Sequence, residues 1–320
     1  IMEEAGFPPG VINVVNSSTP VAAEALVAAP EVDMISFTGS TAVGRHIGSV
    51  AGGEMKRLLL ELGGKGASII FDDADLDAAV SGTGSTWAFH SGQICTAPTR
   101  VLAQRGVYDQ VVERLGAFAG YLKVGDPLEA DTIVGPLITE VHRDRVRGFI
   151  ESGTAAGATL VAGGDAALPD TGWYVAPTLL ADATVDMAVT QEEAFGPVVV
   201  VLPFDDEDEA VELANATAFG LYDYVWSGDA NRAFNVAGQL RSGNGGINTL
   251  QRNHEAPFGG FKQSGGGRDG GSITAALFLA GLVASALPYS TQPTLPLLAA
   301  HFGVSASNSA LSVSAATLGI

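Results

Sequence analysis

Cys95 is the one cysteine in a chain of 320 residues, and it stands in the run Ser91-Gly92-Gln93-Ile94-Cys95. Without a second thiol it can form neither an internal disulfide nor a multi-cysteine zinc site. It therefore reads either as a small inert hydrophobe, the commoner state of an isolated thiol, or as a nucleophile whose thiolate attacks an electrophilic carbonyl. Glu61 closes the apolar run Arg57 to Leu62 and is followed by Gly63-Gly64-Lys65. A carboxylate at the end of a strand and beside glycines can act as a base, or it is a solvated strand-end charge. The stretch Phe37 to Gly44 turns from a strand into a helix, so its N–H groups could receive a pyrophosphate. It lacks the G-x-G-x-x-G spacing, and a plain tight turn is the competing reading.

These residues need a scaffold, and the apolar pattern supplies an α/β one. Strands are expected at Gly10–Val15, Val32–Phe37, Arg57–Leu62, Ala67–Phe71, Arg100–Ala103, Thr159–Ala162, Val198–Phe204, Tyr222–Ser227 and Gly246–Asn248. Helices are expected at Val21–Ala29, from Thr41, from Ala74 after Asp72 and Asp73, and at Tyr108–Leu122, Val141–Ala155, Asp206–Ala216 and Asp229–Leu240. Alternation of this kind builds a parallel sheet whose chemistry lies in the loops after the strands. Dense Gly/Pro punctuation marks those loops, and no repeat of fixed period is present.

Lys plus Arg number 16 against 35 Asp plus Glu, a net charge of -19. No basic surface is expected, which argues against nucleic acid as a partner. His46, His142, His254 and His301 lack metal-ligand spacing, so no metal is expected. His90, five residues before Cys95, is read as structural, because that path does not ensure contact with the thiol. Gly63-Gly64-Lys65-Gly66 is not a P-loop, Gly82-Thr83-Gly84-Ser85 falls inside a helix, and the acidic run Asp205 to Glu209 reads as a solvated helix start.

Taken together, four motifs resemble the aldehyde dehydrogenase superfamily in order and spacing. They are Glu61-Leu62-Gly63-Gly64-Lys65, Gly92-Gln93-Ile94-Cys95, Glu192-Glu193-Ala194-Phe195-Gly196-Pro197-Val198, and Pro257 to Gly265. The resemblance covers about Gly6 to Gly271. It implies an incomplete Rossmann-like cofactor domain joined to an α/β catalytic domain. Residues 1–63 would be the last part of the NAD(P)-binding domain, 64–250 the thiol-bearing catalytic domain, and 251–271 a return segment and linker. It further implies that Cys95 attacks a small aldehyde and that hydride passes to NAD or NADP. Water activated by Glu61 would then release a carboxylic acid. Coenzyme A-acylating relatives generally lack a glutamate at the Glu61 position, so its presence favours hydrolysis. By the same resemblance the Cys95 N–H would help hold the oxyanion. Gly39, Ser40 and Leu62 would contact the cofactor, Glu193 would bind the nicotinamide ribose, and Phe195 would pack near the ring. The aldehyde is not readable, since the substrate funnel would draw on variable loops near Arg252 to His254.

The chain departs from the superfamily at both ends. Ile1 reads as a cut, and the segments carrying an oxyanion-hole Asn and an adenine-ribose Lys have no counterpart, so an impaired enzyme is expected. From Ser272 to Ile320 there is no Asp, Glu, Lys or Arg. Ile273 to Ala300 exceeds the ~20 apolar residues that span a bilayer, and 277–320 resembles the start of a major facilitator superfamily transporter. An apolar helical tail is therefore expected at 272–320. Through 273–300 it could contact or tether to a membrane, with the dehydrogenase part cytoplasmic. A low-complexity or frame-shifted tail is the plainer reading. Two other functions follow: a non-catalytic membrane-tethered remnant, and a cofactor-free hydrolase using Cys95. The superfamily forms homo-oligomers, which cannot be assumed for a chain without the final oligomerisation strand.

Overall fold

The computed structural model of the chain describes residues 4–164 and 168–271. The N-terminal part runs α1 (Val21–Ala28), β1 (Met34–Thr38), α2 (Thr41–Gly53) and β2 (Arg57–Glu61). The next part runs β3 (Ala67–Ile70), α3 (Leu76–Ala88), β4 (Arg100–Gln104), α4 (Tyr108–Tyr121), α5 (Glu140–Ala155), β5 (Thr159–Ala162), β6 (Thr178–Ala181), α6 (Ala188–Gln191) and β7 (Val198–Phe204). It continues with α7 (Glu207–Asn215), β8 (Phe219–Gly220), β9 (Tyr222–Trp226), α8 (Ala230–Ala237) and β10 (Asn244–Ile247), before β11 (Phe261–Lys262) and β12 (Gly265–Gly266).

The main sheet has the order β10-β9-β3-β4-β7-β6-β5, parallel throughout except where β5 meets β6. Its central strands are buried on both faces because successive side chains point to opposite sides. Ile69, Phe71, Leu102, Val200 and Leu202 join Val146 and Phe149 of α5, Ala210 of α7 and Val236 of α8 in one core. Ile70, Val101, Ala103, Val199 and Val201 join Ala79 of α3 and Val111 and Leu115 of α4 in the other. Each such side chain removed from water is worth about 1.5–3 kcal/mol before entropy is subtracted.

The smaller sheet, β1-β2-β12, carries the first acid. Strand β1 runs parallel to β2, with Thr38 opposite Glu61. The return segment brings β12 antiparallel to the other edge, with Gly265 also opposite Glu61. A Cβ on Gly265 (φ +135°) would fall 1.8 Å from the Leu60 carbonyl, so only glycine can close this edge.

Two expectations are corrected. Gly10–Val15 is not a strand. Val14 and Val15 are 83% and 68% exposed, and among the described residues β1 pairs with β2 alone, so this apolar run has no ladder to join. Asp72 and Asp73 do not start α3. Asp75 caps it, accepting from the Asp77 and Ala78 N–H groups, while Asp73 turns to Ser227, the Asp229 N–H and Arg232. The tail expected at 272–320 lies outside the described residues. Among the described residues no helix is long and apolar enough to cross a membrane.

Candidate active site

Glu61 is delivered by the end of β2, where its backbone oxygen accepts from the Gly39 N–H at 3.1 Å. Its two carboxylate oxygens are buried and find no hydrogen-bond partner. Burial raises its pKa, and Arg268 and Arg252 pull in the opposite direction. An acid in this condition is poised to take a proton.

Cys95 arrives on the loop between α3 and β4. Three consecutive residues before it are left-handed: His90 at φ 49°, Ser91 at 57° and Gly92 at 70°. The Ser91 hydroxyl donates to the Gly135 carbonyl at 2.9 Å, and the Gln93 side chain accepts from the Ile138 N–H at 3.1 Å. Gly92 lies flat on the Gly196-Pro197 peptide, where a Cβ would come within 2.2 Å of the Gly196 oxygen. Backbone strain of this kind persists only when the surroundings fix it, and it is common around reactive residues. The thiol is half-buried. Burial raises its pKa first, and the charges of Glu193 and Glu61 add to that. Hydrogen bonds from the Cys95 and Thr96 N–H groups lower it.

Glu193 precedes β7, and its Oε1 accepts from the Gly64 N–H at 2.8 Å. The glycines after Glu61 make this possible. A Cβ on Gly63 would lie 2.4 Å from the Glu193 Oε2, one on Gly64 2.0 Å from the Cys95 carbonyl, and one on Gly66 2.3 Å from the Tyr222 carbonyl. Thus Glu61, Cys95 and Glu193 converge from three separate segments, the end of β2 and the loops before β4 and β7.

Gly39 and Ser40 sit exposed at the start of the 13-residue helix α2, where Ser40 accepts from the Val43 N–H at 3.3 Å. A Cβ on Gly39 would strike the Phe37 ring at 2.4 Å. Leu62 is buried under Gly44 of α2 and its N–H bonds the Ser264 carbonyl at 2.9 Å, so it joins α2 to the return segment. Phe195 has a left-handed backbone (φ 55°). It shares a cleft of about 610 Å³ with Phe89, His90, Gln93, Pro136 and Ile138. An exposed helix start with close-approach glycines, and a glutamate with one oxygen pinned and the other open, suit a dinucleotide.

The sequence assigned no role to several further contributors. His142 and Arg145, three apart on α5, hold the turn that carries Glu193. The His142 ring contacts the Phe195 carbonyl at 2.7 Å, and Arg145 donates to the Glu193 and Ala194 carbonyls at 2.8 and 3.1 Å. Lys65 is 2% exposed, with its ammonium unpartnered. Burial, reinforced by Arg100, pushes its pKa down to about 7. Leu221, Tyr222, Tyr224 and Phe258 form an apolar wall against which Cys95 packs, with the tyrosine rings stacked at 4.8 Å.

The His90 ring makes no hydrogen bond among the described residues and lies 4.2 Å from the Phe89 ring. Asp206 caps α7, and Asp205 pairs with Arg105. Among the described residues no group of three His, Cys, Asp or Glu side chains is placed to hold a metal ion.

A family model for the aldehyde dehydrogenase family matches residues 1–280. The match runs past Gly271, so the first residues of the apolar run assigned above to a transporter belong to the family's span. The chain is 43% identical over 274 residues to a 3-succinoylsemialdehyde-pyridine dehydrogenase of a Pseudomonas species, covering 85% of this chain and 57% of that protein. It is 43% identical over 274 residues to a betaine aldehyde dehydrogenase of Rhizobium leguminosarum bv. trifolii, covering 84% and 56%. Among solved structures it resembles a Staphylococcus aureus betaine aldehyde dehydrogenase in complex with NAD+, with a TM-score of 0.81, 38% identity and coverage of 85% and 55%. It also resembles an NAD-dependent aldehyde dehydrogenase of Sinorhizobium meliloti, with a TM-score of 0.82, 43% identity and coverage of 84% and 54%. The chain thus spans a little over half the length of the relatives it matches.

Proposed function

The chain belongs to the aldehyde dehydrogenase family, and from that membership we propose that it carries the machinery for NAD-dependent oxidation of an aldehyde to a carboxylic acid. The observation that bears the weight is the convergence of one half-buried thiol with a buried, unpartnered carboxylate and a second, pinned one. In this reading residues 1–63 with the return segment 251–271 form the cofactor side, and 64–250 form the thiol side.

Cys95 Sγ bonds to the aldehyde carbon, its proton passing to Glu61 directly or through water. The Cys95 N–H, already directed at the sulfur, turns to the developing oxyanion. NAD, when bound, would supply the hydride acceptor, and loss of hydride from the former aldehyde carbon would leave an acyl thioester on Cys95. Glu61, once it has released the thiol's proton to solvent, takes a proton from water, whose oxygen attacks the thioester carbon. The C–S bond breaks, the carboxylate departs and the thiol is restored. With NAD bound, Gly39 and Ser40 would receive its pyrophosphate, while Leu62, packed under Gly44, supports α2. Glu193 would offer the oxygen not held by the Gly64 N–H to the nicotinamide ribose, and Phe195 would flank the ring. NAD is preferred over NADP because a similar solved structure holds NAD+. The alternative of a membrane-tethered remnant rests on 272–320, and nothing among the described residues favours it.

The test is a single turnover with an aldehyde and NAD, followed by absorbance of the reduced nicotinamide and by intact mass. Glu61→Gln should accumulate an acyl adduct on Cys95, and Cys95→Ala should form neither adduct nor reduced cofactor. Reduced cofactor from Cys95→Ala would remove the nucleophile from this scheme.

A further inference from the structure

Arg252 lies on the wall that shields Cys95. Its guanidinium carbon is 3.7 Å from the centre of the Phe258 ring, and Phe258 is one of the four side chains that pack against the thiol. The Arg252 charge is felt by Glu61 and by Tyr222. A second cation, Arg268, also reaches Glu61, but its guanidinium is engaged by the Gly260 and Gly267 carbonyls at 3.1 and 2.7 Å and stacks on Phe261. Arg252 has no hydrogen bond and no ion pair among the described residues. In a chain with 35 acidic residues against 16 basic ones, an unpaired guanidinium on the wall around the thiol is not explained by a shortage of acids. Its planar fork of N–H donors matches a carboxylate in two-point fashion. Its position on the Phe258 face fills the place that a cationic substrate would use for the same ring.

We propose that Arg252 determines specificity by receiving the carboxylate of an aldehyde that bears an acid group away from its carbonyl. The proposal rests on the aldehyde-oxidation reading above and narrows its substrate class from aldehydes in general to anionic ones.

Cys95 is the sole thiol, so alkylation of the full chain reads the site without a cofactor. Iodoacetate and iodoacetamide both form a bond from Sγ to their CH2 carbon and release iodide, and they differ in charge. Glu61 and Glu193 repel the anion in every variant, and a change in thiolate fraction affects both reagents alike. The ratio of the two rates therefore isolates Arg252. One charge pair in a half-wet site is worth about 5-fold, so the iodoacetate/iodoacetamide ratio should fall about 5-fold in Arg252→Gln and be largely kept in Arg252→Lys. In 1 M NaCl the wild-type ratio should drop toward the Arg252→Gln value. A ratio unchanged in Arg252→Gln overturns the proposal. So does an equal loss in both variants, which would mean a disturbed wall and not a missing charge. With NAD present, KM for a carboxylate-bearing aldehyde should rise in Arg252→Gln relative to a neutral aldehyde of the same length. Failure of the oxidation reading looks different: neither aldehyde reduces NAD, while the labelling ratio still reports on Arg252.

Discussion

Replacing Glu193 by Gln should make Cys95 more reactive at neutral pH. After burial, Glu193 is the largest influence that raises the thiol's pKa, and Glu61 acts in the same direction more weakly. Glu193 is fixed to the Gly64 N–H at 2.8 Å, and Gly64 abuts the Cys95 backbone, which brings the carboxylate close to the thiol. For a half-buried pair at an effective dielectric of about 40 and a separation on the order of 7 Å, Coulomb's law gives about 1.2 kcal/mol, or about 8 times more thiolate below the thiol's pKa. A less basic thiolate is also a weaker nucleophile, with a Brønsted slope of about 0.45, so the net gain in alkylation rate is about 3-fold. Above the pKa both proteins are fully ionised and only the weaker nucleophilicity remains. There the variant should be slower, at about 0.4 of the wild-type rate. The assay is the pH profile of iodoacetamide labelling, read by intact mass, with Glu61→Gln as a second variant showing a smaller gain. Profiles that do not cross, or a larger gain from Glu61→Gln than from Glu193→Gln, would refute the placement of the two acids around the thiol.

The fold around the site yields three further expectations. Gly64→Ala puts a Cβ 2.0 Å from the Cys95 carbonyl, where about 3.3 Å is normal. A backbone shift of about 1.3 Å costs about 1–3 kcal/mol, lowers Tm by about 3–10 °C and reduces turnover about 100-fold. Tm and turnover within error of wild type would contradict the close approach. Lys65, held at about 7 in the fold against an unperturbed 10.5, is protonated in the unfolded chain and largely neutral in the folded one between those values. The unfolded state therefore binds more protons, and this residue makes stability rise with pH by up to about 1.4 kcal/mol per unit from about pH 7 to about 10.5. Urea unfolding at several pH values should show that slope reduced in Lys65→Met, and equal slopes in the two proteins would count against a neutral buried lysine. His90→Val should cost about 1–3 kcal/mol in chemical denaturation, because a β-branched residue resists φ 49°, whereas Asn tolerates that region. Equal stability of the two variants would mean that the loop relaxes.

The sheet was legible because its strands are short apolar runs between glycines, and burial on both faces leaves no room for polar interruption. Thr159–Ala162 and Val198–Phe204 fall where the pattern places them. β6, β8, β11 and β12 were missed. The last three are two residues long, too short for any periodicity, and exist only through partners distant in sequence. The error at Gly10–Val15 has the same root, since β-patterning shows what a segment can join and not whether a neighbour is there. The four motifs named Cys95, Glu61 and Glu193. No local pattern pointed to Arg145 and His142, because they act through carbonyls about fifty residues away, nor to Arg252, whose meaning comes from the ring beneath it.

The glycines of the first motif decide the geometry more than its acid does. Without a Cβ at 63, the Glu193 carboxylate can approach the chain that follows Glu61. Without one at 64, the Cys95 carbonyl can. Without one at 66, β9 can close over both. The same loop then buries Lys65 among Arg100, Arg145, Glu192 and Glu193, so a cation of adjustable charge sits behind the acid that faces the thiol. Glu61, Cys95 and Glu193 are therefore not independent additions to a scaffold. A side chain at any of these three glycines would separate them, and the distances that set the thiol's reactivity would no longer hold.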